Sequence, residues 1–161
     1  MIKLESEIKT RALAKIFSEH VLSGDVIGLT GNLGVGKSFF ARSFIHARCG
    51  IIEVPSPTFT LVQTYDDLSS CNETQSNIWH FDLYRLNNES EAHEIGLYEA
   101  IGREIVLIEW PEKLSKYSMG DWLNIDLTFT NNADERFVQM TGYGPRSQKL
   151  KSEVIVEAKR L

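Results

Sequence analysis

Ile8, Ala12, Leu13, Ile16, Phe17 and Val21 recur at helical spacing, and Ser6 stands where a cap would. The period changes at Ser23-Gly24. Asp25 to Thr30 (DVIGLT) is a short, mostly apolar run that predicts a buried parallel strand. A glycine-rich loop follows. A second helix opens at Gly36 or Lys37, carries Phe40, Phe44, Ala47 and Arg48 along its length, and stops at Gly50. Phe59 to Tyr65 alternates like a strand, after an extended Ser56-Pro57-Thr58. Asp66 to Asn77 is polar and predicts an exposed loop. Ile78 to Tyr84 and Glu104 to Glu109 predict strands, with a short helix between them over Glu89 to Ile101, broken at Gly96. Pro111 to Ser115 begins another short helix. Trp122 to Phe129 and Arg136 to Met140 flank Asn131-Asn132-Ala133-Asp134, the pattern of a hairpin.

Helices alternate with strands early, and strand pairs come later. That order predicts an α/β fold: three layers, with a mixed, centrally parallel sheet flanked by helices. The chain of 161 residues reads as one domain over 1–145, followed by a basic tail over 146–161 that is no domain of its own. Arg146, Lys149, Lys151, Lys159 and Arg160 make that tail basic, and it reads as a solvated end, or as a contact with partner proteins or RNA.

The formal net charge of −5 argues against a broad grip on a nucleic-acid backbone, which needs clustered Lys and Arg. Cys49 and Cys71 stand in no metal or redox spacing; two free thiols suit a reducing cytoplasm. The first residues carry acids and no apolar signal core, so neither a secretory nor a transit peptide is expected. No run approaches the ~18 apolar residues of a membrane span.

Gly31-Asn32-Leu33-Gly34-Val35-Gly36-Lys37-Ser38 fits G-x-x-x-x-G-K-[ST] in full, after a strand and before a helix. Glycines let the backbone turn its N–H groups inward as an anion nest, and the helix start adds its unpaired N–H groups. Lys37 is placed to reach the β- and γ-phosphates of ATP, and the Ser38 hydroxyl to ligate Mg²⁺. The loop predicts phosphate contacts along Asn32, Leu33, Gly34, Val35, Gly36, Lys37, Ser38 and Phe39.

A phosphate loop binds; turnover needs a metal ligand and a group that positions the nucleophile. Glu109 ends an apolar strand, where a Walker B carboxylate belongs, or is a surface acid at a strand end. His80, Asp82 and Tyr84 share one face of their strand, with Phe81 and Leu83 on the other. Asp82 either holds a Mg²⁺-bound water, orients the attacking water, or joins a structural salt bridge. Arg85 pairs with a carboxylate or reaches a phosphate. Trp110 packs the sheet edge or meets nucleotide or a partner. Ser56 and Thr58 offer hydroxyls where a switch segment would lie. His80 alone reads as structural.

Four blocks in order carry a family resemblance: GNLGVGKS, Ser56-Pro57-Thr58-Phe59-Thr60-Leu61-Val62, His80-Phe81-Asp82-Leu83-Tyr84-Arg85-Leu86 and Ile108-Glu109-Trp110-Pro111-Glu112. With Glu94-Ile95-Gly96-Leu97, they resemble the TsaE (YjeE) family from about Ser6 to Gly144. The third and fourth blocks, HFDLYR and IEWPE, discriminate more than the phosphate loop does. The resemblance implies a cytoplasmic, Mg²⁺-dependent ATPase, weak alone, that acts with a TsaB–TsaD complex. In that family ATP hydrolysis supports repeated threonylcarbamoyl transfer to adenosine 37 of tRNA, with contact to tRNA indirect. It implies catalytic roles for Lys37, Asp82 and Glu109, metal ligation by Ser38 and Glu109, and nucleotide contact by Thr10 and Arg136. Ser38, Val35 and Phe39 stand where the family usually has Thr, Ala and Thr; none removes a required group.

Three rival functions stay open on the residues alone. A small-molecule kinase needs an arginine-bearing lid, and only Arg48 and Arg85 lie between Ile45 and Gly102. A GTPase needs N-K-x-D, which is missing. A nucleotide-bound assembly switch needs no catalysis.

Overall fold

The computed structural model describes residues 1–50, 53–67, 76–115 and 118–161. Cys71 and most of the expected polar loop, 68–75, lie outside the described residues.

The first helix, α1 (Glu7–His20), begins where predicted: the Ser6 hydroxyl accepts the Lys9 N–H at 3.4 Å. Its Leu13, Ala14 and Phe17 turn inward. Before it lies a strand that the sequence did not announce, β1 (Ile2–Leu4); three residues are too few to show an alternation. β2 (Val26–Thr30) leads into the phosphate loop, and α2 (Lys37–Cys49) leaves it, closed by the Gly50 N–H on the His46 carbonyl. β3 (Val62–Asp66) starts later than the apolar alternation from Phe59 suggested. Pro57 to Leu61 instead makes a turn, with the Leu61 N–H on the Pro57 carbonyl at 2.6 Å and Leu61 at φ 65°. β4 (Asn77–Asp82), α3 (Glu91–Glu94), α4 (Leu97–Ala100) and β5 (Ile105–Glu109) follow. Gly96, at φ 78°, separates the two short helices as expected. A single 3₁₀ turn at Pro111–Lys113 precedes the hairpin of β6 (Trp122–Phe129) and β7 (Arg136–Gly142).

The residues read as a basic solvated end are largely helical: α5 (Pro145–Ala158) buries Leu150, Val154 and Ala158, one turn apart each time. The cations drew the reading outward, while the four-residue apolar spacing draws the helix in. Its exposed first-turn N–H groups are capped from another element. Asp121 accepts from the Arg146 N–H at 2.8 Å and the Ser147 N–H at 2.9 Å. Gly144 leaves room for this, since a Cβ there would stand 2.3 Å from the Asp121 carboxyl carbon.

The sheet runs β1-β7-β6-β2-β5-β4-β3. β6, β2, β5 and β4 are parallel; β7 and β3 flank them antiparallel, and β1 pairs antiparallel with β7 at the far edge. The expected mixed, centrally parallel sheet is therefore present, with helices on both faces. Ile27, Leu29, Ile105 and Leu107 face α1, α2 and α5; Val26, Phe81, Val106 and Ile108 face α3 and α4. Phe17 and Phe40 join α1 to α2 edge to face, with ring centroids 5.6 Å apart. Each such fully buried side chain contributes about 1.5–3 kcal/mol.

Strand alternation decides what reaches the site. Ile78, His80 and Asp82 lie on the face that carries α2, as do Ile105, Leu107 and Glu109. Asp82 pairs in register with Glu109, and Glu109 with Leu29, so two carboxylates end level beside the exit of β2.

Candidate functional site

A cleft of about 500 Å³ opens at the C-terminal ends of β2, β4 and β5. Ligands of open α/β sheets sit at such ends. The phosphate loop forms its floor. Gly31 fits there for two reasons: its φ is 127°, and a Cβ would stand 2.2 Å from the Leu127 carbonyl oxygen. Gly34 (φ 77°) and Gly36 (φ 115°) turn the backbone further, and a Cβ at either would meet no atom within 4 Å. The loop thus leaves a concave space lined by backbone at the start of α2, the geometry that takes a phosphate chain.

Lys37 is buried and folds back over the loop. Its Nζ donates to the Gly31 carbonyl at 2.6 Å and the Asn32 carbonyl at 3.0 Å, and lies 3.6 Å from the Trp110 ring centroid. Burial pushes its ammonium below the ordinary lysine range, against the pull of Glu109, Glu112 and Asp82. Trp110 holds its ring there from a left-handed backbone (φ 61°, ψ 49°), a conformation costly for a bulky residue and concentrated at functional sites. Tyr84 lies beside it, ring centroids 5.1 Å apart.

Ser38 donates to Glu109 Oε2 at 2.7 Å. Glu109 is 1% exposed at the end of a strand buried along its whole length, so it is no surface acid. The hydroxyl and carboxylate form an all-oxygen pair of the kind Mg²⁺ takes beside phosphate oxygens and water. Among the described residues, no group of three or more His, Cys, Asp or Glu side chains makes a metal cage by itself. Asp82 is 4% exposed; its Oδ2 accepts from the Thr58 hydroxyl at 2.8 Å and its Oδ1 from the Tyr84 N–H at 3.1 Å. The Ser56 hydroxyl is 2.8 Å from that of Thr58. A chain of two hydrogen bonds thus links Ser56 through Thr58 to Asp82.

A family model described as threonylcarbamoyl adenosine biosynthesis protein TsaE matches residues 4–138. The chain belongs to the TsaE family. It is 34% identical over 150 residues to the tRNA threonylcarbamoyladenosine biosynthesis protein TsaE of Rickettsia conorii, covering 92% of this chain and 82% of that protein. The protein of the same name from Bacillus subtilis is 33% identical over 148 residues, 91% of this chain and 87% of its own. The crystal structure of Bacillus subtilis YdiB is similar at a TM-score of 0.69 and 26% identity, covering 96% of this chain and 93% of that one. The TsaE match takes in the phosphate loop, Asp82, Glu109, Trp110 and Arg136, and stops before α5.

Most residues that the sequence singled out line the cleft: Leu33 to Phe39, Thr58, Asp82, Glu109 and Trp110, with Thr10 and Arg136, which the resemblance added. Asn32 contributes its carbonyl to Lys37. Arg136 spends its guanidinium on backbone, donating to the carbonyls of Val35 at 2.8 Å, Ala133 at 2.6 Å and Glu135 at 2.7 Å. It ties the β6–β7 hairpin to the phosphate loop. Arg85 stacks on Phe59, 4.4 Å from its centroid, away from the cleft wall. Glu7, Arg42, Tyr84, Leu127, Ala133 and Asp134 also line the cleft, and sequence reasoning assigned them no contact. Arg42 carried a usable signal, one helical turn after Ser38. The hairpin residues carried none, because only tertiary packing brings them over the loop.

Proposed function

We propose that this chain is the ATP-hydrolysing subunit that supports threonylcarbamoyladenosine formation on tRNA, working in the cytoplasm with a TsaB–TsaD-type complex. Family membership supports the pathway. The observation that carries the chemistry is the Ser38–Glu109 hydrogen bond, 2.7 Å long, at the mouth of a complete phosphate loop.

The loop's backbone N–H groups, from Leu33 to Phe39, hold the phosphate chain of ATP. Lys37 leaves the Gly31 and Asn32 carbonyls and pairs with the β- and γ-phosphates. Ser38 and Glu109 hold Mg²⁺, which when bound neutralises charge on the phosphate oxygens. Asp82, anchored by Thr58 and the Tyr84 N–H, orients the water that attacks the γ-phosphorus. ADP and inorganic phosphate leave. Thr10 lines the outer part of the nucleotide site. Arg136 shapes the site through Val35 rather than by touching phosphate. Trp110 shields Lys37 and, with Ser56, Thr58 and Arg85, faces the partner side. Turnover alone is slow in this reading: Arg136 gives its Nε and Nη1 to carbonyls and Arg85 stacks on Phe59, which leaves Arg42 as the other arginine lining the cleft. Neither serves as an arginine finger in the described arrangement.

Reconstitution with TsaB and TsaD tests this. ATP turnover should rise on adding both proteins, and tRNA modification should pass beyond one round only with ATP. Equal turnover with and without the partners would sink the partner-dependent reading. Formation of a phosphorylated metabolite would replace it with a kinase.

A further inference from the structure

His80 is wholly buried on β4 and plays no part in the steps above, yet it touches their central carboxylate. Its Nε2 lies 2.9 Å from Oε1 of Glu109. The other oxygen of that carboxylate, Oε2, accepts from Ser38. The two oxygens are therefore divided, one held inside the protein and one turned to the cleft. A carboxylate only accepts, so Nε2 is the donor. His80 Nδ1 has no hydrogen-bond partner among the described residues. A proton there would be a buried, unpaired donor, which is costly. With the proton on Nε2 the ring's donor is paired, Nδ1 is left as a buried acceptor, and Glu109 is the single polar partner of the ring among the described residues.

The strand pattern explains why no other residue does this. His80 and Asp82 sit two apart on the α2-facing side of β4, and β5 runs parallel beside it with Leu107 opposite His80. The imidazole reaches diagonally to Glu109, past the apolar Leu107. The terminal torsion of a Glu side chain is broad, so a carboxylate without such a partner rotates over a wide range.

We infer that His80 is a positioning residue: its Nε2–H locks the Glu109 carboxylate so that Oε2 faces Ser38 and the metal this pair holds. The inference rests on the proposed metal role of Glu109. It assigns His80 no proton transfer and no contact with nucleotide.

The test is the gain in affinity for adenylyl imidodiphosphate that Mg²⁺ brings, measured by calorimetry with Mg²⁺ and with EDTA. Melting temperature serves as the folding control. His80→Phe should lose the gain by about tenfold or more, the scale of lost outer-shell support in metal sites, with EDTA affinity unchanged. His80→Gln carries an amide nitrogen near the position of Nε2 and should keep the gain. His80→Asn reaches only as far as Nδ1 and should lose it. If His80→Phe does not fold, the Gln and Asn variants decide between them. Equal gains in those two, or a wild-type gain in a folded His80→Phe protein, overturn the inference alone. No gain in the wild-type protein overturns the metal role of Glu109, and this inference with it.

Discussion

The ammonium of Lys37 sits 3.6 Å above the Trp110 ring, with its hydrogens shared between the carbonyls of Gly31 and Asn32. The lysine is thus satisfied without phosphate, and a triphosphate must draw it away from the indole. ATP should therefore produce a saturable change in tryptophan emission. Trp110→Phe should lack that change, because Trp79 and Trp122 lie on strands away from the cleft wall. Lys37→Ala should weaken nucleotide binding about 100-fold, the loss of charge-assisted bonds worth about 3 kcal/mol.

Glu109→Gln and Asp82→Asn separate binding from turnover. Both keep the phosphate loop intact, so nucleotide affinity in EDTA should stay within a few-fold of wild type. Hydrolysis should fall about 100-fold or more, the scale for removing one preorganised group. Single-turnover phosphate release in the partner-activated complex checks this, and a wild-type rate in either variant would remove that residue from the chemistry.

Gly31→Ala asks for a Cβ at 2.2 Å from the Leu127 carbonyl and a φ of 127° that alanine avoids. The loop or β6 must shift. Urea unfolding should show a loss of about 2 kcal/mol or more, and nucleotide binding should drop with it. Unchanged stability and affinity would show that the loop does not approach Leu127 this closely.

Asp121 gives the docking of α5 a pH dependence. Burial raises its carboxyl pKa, but the Ser147 hydroxyl and the N–H groups of Ser147 and Arg146 outweigh this and hold it below the ordinary value of 3.8. The folded state then binds the proton less readily than the unfolded one. The cap's contribution is present above the unfolded pKa and is lost as pH falls through the lower folded one. Asp121→Ala should cost about 1 kcal/mol at neutral pH. Thermal melts should converge with wild type as pH drops below about 3.8.

Local signals carried most of the architecture. Ser6, Gly50 and Gly96 each marked an end or break that the structure keeps, because capping and left-handed turns are decided by a few neighbouring residues. α5 was hidden by its own cations, and β1 by its length. At the site, the types and order of Lys37, Ser38, Asp82 and Glu109 could be read from the chain. Their mutual arrangement could not: Asp82 meets Glu109 only through strand register, and Thr58 meets Asp82 only because the Pro57–Leu61 turn bends back. The arginines show the limit most clearly. Arg136 matched a nucleotide contact by resemblance and lines the cleft, but the bonds of its Nε and Nη1 to carbonyls of Val35, Ala133 and Glu135 are something no one-dimensional pattern reveals.

The strand order also gives the cleft one fixed jaw and one adjustable jaw. β2 leads into the loop and helix start that carry Lys37 and Ser38, and it is held by parallel neighbours on both sides. β4 bears Asp82 one strand from the edge, steadied on the outside by β3 and by the turn through Thr58 and Leu61. Phe59, 81% exposed, stands out from that turn. A protein leaning on Phe59 would displace Asp82 before it disturbed the phosphate loop. In the proposed ATPase, grip on the nucleotide and speed of its cleavage would then rest on different parts of the same surface.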